Sequence, residues 1–327
     1  MTIPEQIIAK IKAYQTIIIH RHVNPDPDAI GSQVGLAEVI RNSYPDKKVY
    51  QVGSDTGNLA WLANAQPIDP ALYQGALVIT TDAANTPRIS GEDYNQGAYL
   101  IKIDHHPNDE PYGDLNWVLP DASSTSEIIV DMINDSQGQL QLNQATARVL
   151  YAGIVGDTGR FMFNSTTPHT MTCAAQLMTF DIQHDKINQR MNEITLEQAK
   201  LQGYLFDQLR VNDDQVAYLV VDQETQKRLN VSAQQVHSIV GTPGRLKGVL
   251  TWVIFVQQDD GTYRVHFRSK GPIINELAKQ HDGGGHPLAT GPKQLIKLKL
   301  TRLLRHYQRL SLITQHSNRY FFDGFKQ

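Results

Sequence analysis

Between residues 16 and 104, short apolar runs rich in β-branched residues recur, and polar turns separate them. Residues 16–19 read as a buried strand, and 47–52, 76–81 and 98–103 repeat the signal. After the first run, Ile30, Val34, Ala37 and Ile40 fall on one helical face. Strand and helix signals in alternation predict an α/β fold: a mainly parallel sheet with helices on both faces. Ser124 and Glu127 are spaced as a capping box for a helix reaching Ile133. Asn143 can cap the next helix, which turns Val149, Leu150 and Ile154 inward and ends near Gly156-Asp157. Thr167-Pro168 opens another, with proline at its first position.

From residue 185 the pattern is polar and helical without an internal proline, which predicts one long helix joining two domains. Strand signals follow at 215–221, 249–256 and 262–268, with Asp259-Asp260-Gly261 as a hairpin connection. A short helix is expected from Pro272 through Lys279, before Gly283-Gly284-Gly285-His286. The expected division is a first domain over 1–184, a connecting helix over 185–212 and a smaller α/β domain over 213–327. A length of 327 residues agrees with two domains.

The charge balance changes the picture in one respect. A net charge of -3 argues against a broad surface that coats nucleic acid, while a polyanionic substrate stays open if bound metal ions supply local positive charge. Cys173 is the only cysteine, which excludes an internal disulfide; its apolar helical context reads as a buried structural thiol rather than a nucleophile. No apolar run reaches membrane-spanning length and the N-terminus lacks a basic-plus-apolar signal, so a cytoplasmic location is expected.

The candidate chemistry gathers at the ends of the predicted strands. In His22-Val23-Asn24-Pro25-Asp26-Pro27-Asp28, three metal-ligand side chains sit at i, i+4 and i+6, and two prolines force a loop. A strand-to-helix loop is where open α/β sheets place their sites, and one imidazole with two carboxylates suits an ion such as Mn²⁺. Asp82 and Asp104-His105-His106 end two further strands, on the same edge if the strands are parallel. Asp157 ends a helix. Each feature alone is an ordinary turn or cap; together, four loops on one rim offer ligands. His22, Asp26, Asp28, Asp82, His105 and Asp157 suffice for two ions if one carboxylate bridges. Two ions ~3.5–4 Å apart favour in-line displacement at phosphorus. Arg160, three residues after Asp157, fits a phosphate contact or an exposed structural arginine equally well.

These motifs resemble the DHH phosphoesterase superfamily, named for the triplet Asp104-His105-His106, over nearly the whole chain. His22-x3-Asp26-x-Asp28 matches its first motif, Asp82 its second, the triplet its third and Asp157 its fourth, while Gly283-Gly284-Gly285-His286 matches the associated DHHA1 domain. Phe267-Arg268-Ser269 together with the glycine run is most similar to small bifunctional oligoribonucleases and pAp phosphatases. The resemblance implies a phosphoesterase with two Mn²⁺ ions, for which Mg²⁺ or Co²⁺ can substitute. His22, Asp26 and Asp82 would hold one ion; Asp28, His105 and Asp157 would hold the other, with Asp82 bridging. His106 would face the scissile phosphate, and Asp104 would orient its neighbours. Arg268, Ser269 and Gly283 to His286 would grip the substrate from the second domain, the glycines letting the backbone approach closely. Implied substrates are pAp and short single-stranded RNA or DNA; the dinucleotide pApA and a homodimer stay open. Two alternatives remain at this point: a family II inorganic pyrophosphatase, which shares the first motif's spacing, and a nucleotide-binding module with a degenerate site.

Overall fold

The apolar runs form the middle of a five-stranded, all-parallel sheet. The computed structural model describes residues 1–274, Lys279, 283–286 and 289–292. Helix α1 (Ile3–Ala13) leads into β1 (Thr16–His20), α2 (Pro27–Ser43), β2 (Lys48–Val52), β3 (Leu77–Thr81), β4 (Tyr99–Asp104) and β5 (Leu115–Val118). Helices α3 (Thr125–Asp135), α4 (Gln144–Asp157), α5 (Pro168–Leu177) and α6 (His184–Asn192) complete the first unit, Met1–Glu193. The strand order is β2-β1-β3-β4-β5, so the chain's progression across the sheet reverses between β1 and β3. Such a reversal opens a crevice at the strands' carboxyl ends.

Alternation along the strands decides which residues meet the helices. Ile17, Ile19, Leu77, Ile79, Ile101 and Ile103 pack with apolar side chains of α1 to α4 in one core. The opposite face, with Ile18, Val78 and Leu100, is covered by Ile68, Leu72, Tyr73 and Tyr94, none of which lies in an α-helix. The expectation of helices on both faces therefore holds for one face only. Helices α2 and α4 approach closely because glycines face the contact. A Cβ on Gly31 would meet the Val149 carbonyl oxygen at 2.6 Å, and one on Gly153 would meet Asp28 Oδ1 of α2 at 2.9 Å and Ser126 Oγ of α3 at 2.0 Å.

The predicted long connecting helix over 185–212 is two helices, α6 and α7 (Leu196–Gln208), parted at Glu193 to Thr195. Thr195 caps α7 in a reciprocal box with Gln198, which starts a new helix rather than continuing the old one. The second unit, Ile194–Gln327, continues with β6 (Arg210–Val211), β7 (Val216–Val221), α8 (Gln223–Leu229), β8 (Thr251–Gln257), β9 (Tyr263–Ser269), β10 (Gly283–His286) and β11 (Ala289–Pro292). Its sheet runs β10-β11-β9-β8-β7-β6 and is mixed, with β7 and β8 parallel and its other pairs antiparallel. Period-two alternation gives it two cores. Ala217, Leu219, Val221, Trp252, Ile254 and Val256 pack with Leu201 and Leu205 of α7. Val253, Phe255, Val265 and Phe267 face the other way. Of the helix expected from Pro272 through Lys279, residues 275–278 lie outside the described residues. Among the described residues, no helix is long and apolar enough to cross a membrane.

Candidate metal centre

The carboxyl edge of the first sheet gathers the sequence-predicted ligands. His22 follows β1 by two residues, and its Nδ1 sits 2.7 Å from the Val23 carbonyl oxygen. Donation there leaves Nε2 as the ligand atom. Nε2 lies 3.5 Å from Asp26 Oδ2 and 3.4 Å from Asp82 Oδ2. Asp26 divides its carboxylate between two tasks. Oδ1 caps α2 by accepting from the Asp28 and Ala29 N–H groups at 3.0 and 2.9 Å, which turns Oδ2 toward His22.

Asp82 leaves β3 in the left-handed region, with φ of 54°, a conformation a carboxylate-bearing residue tolerates better than most. Its second oxygen, Oδ1, lies 3.6 Å from His105 Nε2. His105 Nε2 is in turn 3.1 Å from Asp157 Oδ2 at the end of α4. Asp28 completes this second group and is fully buried. The first turn of α3 holds it, the Thr125 N–H donating to Oδ2 at 2.7 Å and the Ser126 N–H to Oδ1 at 2.9 Å. A helix N-terminus is a suitable seat for a carboxylate. Three overlapping groups of possible ligands result, His22/Asp26/Asp82, Asp28/His105/Asp157 and Asp82/His105/His106, the last because His106 Nδ1 lies 3.4 Å from Asp82 Oδ1; Asp82 reaches both His22 and His105.

The site is short of positive charge. Burial and the neighbouring carboxylates Asp82 and Asp157 push the Asp28 carboxyl well above its ordinary range. Burial opposes charge on the His22 and His105 rings. The surrounding carboxylates outweigh it and raise both rings to about 10, a mark of how strongly this pocket favours positive charge. His105 Nε2 is buried without a hydrogen-bond partner, although carboxylate oxygens surround it. Imidazole nitrogens and carboxylate oxygens converging around such an atom fit divalent cations.

Asp104, the last residue of β4, supports the neighbouring ring. Its Oδ1 lies 2.9 Å from His106 Nδ1 and accepts the His106 backbone N–H at 3.1 Å. Behind it is Lys102, fully buried, with Nζ 3.4 Å from Asp104 Oδ2 and donating to the Ala84 carbonyl and Asn108 Oδ1 at 2.8 and 3.0 Å. Sequence reasoning missed Lys102, because a lysine in an alternating strand reads as outward-facing. It also missed Thr125 and Ser126, although Ser124 was legible as the cap of α3. The expected capping box is half formed. Ser124 Oγ accepts the Glu127 N–H, but the Glu127 carboxylate turns to the Ser123 hydroxyl at 2.6 Å.

Arg160 lines a cavity of about 200 Å³ with Pro27, Trp61, Gly156 and Arg190. Pro27 lies between Asp26 and Asp28 in the chain and Gly156 precedes Asp157. Gly159, Arg160 and Phe161 all have positive φ, so the chain turns sharply directly after that ligand. In the second unit, His286 pairs with Ala289 and Ala289 with Arg268, which places His286 and Arg268 in one cross-strand row, two strands apart. Arg268 is half-buried, and Ser269 Oγ accepts the Gly271 N–H at 3.1 Å.

Comparison with known proteins adds names to this geometry. The DHH family, N-terminal domain, matches residues 16–154, and the DHHA1 domain matches residues 213–306. A Streptococcus mutans protein described as a probable bifunctional oligoribonuclease and PAP phosphatase NrnA is 48% identical over 291 residues, covering 89% of this chain and 93% of that one. The Bacillus subtilis bifunctional oligoribonuclease and PAP phosphatase NrnA is 44% identical over 287 residues, covering 88% and 91%. The crystal structure of an exopolyphosphatase-related protein from Bacteroides fragilis shares the fold, with a TM-score of 0.86, 22% identity and coverage of 96% and 97%.

Proposed function

Because the chain belongs to the DHH family and carries a DHHA1 domain behind the DHH domain, we propose that it is a two-metal phosphoesterase acting on short oligonucleotides and on pAp. The observation that carries this reading is the pair of ligand groups that Asp82 reaches with opposite oxygens. His22, Asp26 and Asp82 would hold one Mn²⁺; Asp28, His105 and Asp157 would hold the other with Asp82 between. Ions bound there supply Lewis acidity toward phosphoryl oxygens and lower the pKa of water toward neutrality.

The chain's own residues do the rest. Asp104 sets the orientation of the His106 ring, which donates to the scissile phosphate. Lys102 keeps Asp104 in place from behind. Arg160 takes a further phosphate of the substrate beside the metal centre. In the second domain, Arg268 and Ser269 and the backbone of Gly283 to His286 recognise the terminal phosphate, since an arginine fork pairs with it directionally. The glycine run lies within the matched DHHA1 range, which weighs against the pyrophosphatase alternative. Intact ligand groups weigh against the degenerate binding module. Relatives named for two activities support both pAp and short RNA as substrates; pApA belongs to the same chemical class.

The test is a panel assay of the full chain with Mn²⁺ on pAp, an RNA dinucleotide, a DNA dinucleotide, pApA and pyrophosphate. Turnover of pAp and the RNA dinucleotide above that of pyrophosphate is the expected result. Hydrolysis of pyrophosphate alone, or of none of the five, would overturn the reading.

A further inference from the structure

A second cluster of ligand-type side chains lies outside the residues of that centre. Asp131 on α3 and His169 and Cys173 on α5 each bring one ligand atom within 4.8 Å of the others. His169 and Cys173 are one helical turn apart and so share a face of α5. The two helices are locked side by side by a reciprocal amide pair, Asn134 Nδ2 to Gln176 Oε1 at 3.0 Å and Gln176 Nε2 to Asn134 Oδ1 at 2.7 Å.

The distances form a recognisable triangle. His169 Nε2 is 2.8 Å from Asp131 Oδ1 and 3.5 Å from Cys173 Sγ, and Sγ is 3.9 Å from Oδ1. A tetrahedral zinc ion with bonds of ~2.0–2.2 Å to N and O and ~2.3 Å to S separates N from O by about 3.4 Å and S from either by about 3.6 Å. Each edge of the observed triangle lies within roughly 0.6 Å of that arrangement. Access is graded as well. Cys173 is 1% exposed, whereas the His169 side chain is 55% exposed, so solvent reaches the cluster from the imidazole side.

We propose that Asp131, His169 and Cys173 form a binding site for a zinc-class divalent cation, which ties α3 to α5. The thiol's surroundings favour this over a reactive cysteine. Burial, then Asp131 and Glu127, push the Cys173 thiol up to about 12, so it is neither a ready nucleophile nor a redox sensor. The same negative surroundings attract a cation. On binding, the S–H bond breaks, its proton leaves to solvent and a sulfur–metal bond forms; nothing is oxidised. A thiolate and an imidazole select zinc over manganese, so the two centres take different ions.

The uniqueness of Cys173 supplies the test, because any thiolate-to-metal charge-transfer absorption comes from this residue. The full chain, with its catalytic centre filled with Mn²⁺, is titrated with Co²⁺. The expected result is a thiolate–cobalt band that saturates at one equivalent and is displaced by Zn²⁺. Cys173→Ser removes the band. His169→Gln, at an exposed position that does not threaten folding, weakens Co²⁺ binding at least ~10-fold. Absence of the band at saturating Co²⁺, or undiminished affinity in His169→Gln, would overturn the proposal and leave an Asp131–His169 ion pair with a thiol packed beside it.

Discussion

Lys102 and Asp104 form an ion pair with no exposed side-chain surface, Nζ lying 3.4 Å from Oδ2. Asp104 accepts both from the His106 ring and from the His106 backbone, so the pair underlies one wall of the candidate site. Removing one partner of a buried pair leaves the other charge uncompensated. Lys102→Met is therefore expected to lower unfolding free energy by ~3–5 kcal/mol. Denaturant titration measures it. A loss under about 1 kcal/mol, the range of an exposed pair, would show that the pair is not what holds Asp104.

Gly153 carries the close approach of α4 to the Asp28 seat. An added Cβ would stand 2.0 Å from Ser126 Oγ and 2.9 Å from Asp28 Oδ1. Gly153→Ala should destabilise the protein by ~1–3 kcal/mol through overpacking, and turnover should drop with it. Unchanged thermal stability and unchanged turnover together would mean that the helices separate there without cost.

The second domain is assigned to substrate recognition. Arg268→Ala should reduce turnover of pAp and dinucleotides while metal content stays at the wild-type level. Steady-state kinetics beside elemental analysis separates the two effects. Lost metal, or unchanged kinetics on every nucleotide, would refute the assignment.

His266 on β9 makes acid stability a property of the second unit. Burial, followed by His237, Arg268 and Arg264, depresses its ring to about 3 from an ordinary 6.5. Between those values the unfolded chain binds the extra proton and the folded chain does not. Its contribution is thus present above pH 6.5 and is lost as pH falls toward 3, by up to ~1.4 kcal/mol per pH unit. His266→Gln should flatten this slope in unfolding titrations. Parallel slopes for variant and wild type would exclude the ring as the cause.

Much of this site was legible because its ligands mark the ends of strands. His22, Asp26 and Asp28 fall within seven residues at the junction of β1 and α2, and Asp82 and His105 directly follow β3 and β4. What holds those ligands was hidden, because it comes from far along the chain. Asp28 is cradled by Thr125 and Ser126, 97 and 98 residues away. Lys102 is buried by a neighbouring strand and by loops around Ala84 and Asn108, which no local pattern reveals. Two other misses did have local signals. Thr2 and Glu5 form a capping box that starts α1, and Thr195 with Gln198 marks the break between α6 and α7.

The bridging position of Asp82 is the centre of the account. Asparagine tolerates its left-handed backbone but removes the charge that faces both His22 and His105. The decisive measurement is Mn²⁺ stoichiometry, after dialysis, of wild type and Asp82→Asn, each shown to be folded, beside turnover of pAp. Two Mn²⁺ per wild-type chain are expected, fewer in the variant, with turnover reduced at least ~10²-fold. Two firmly held ions and near-normal turnover in Asp82→Asn would contradict the bridging position.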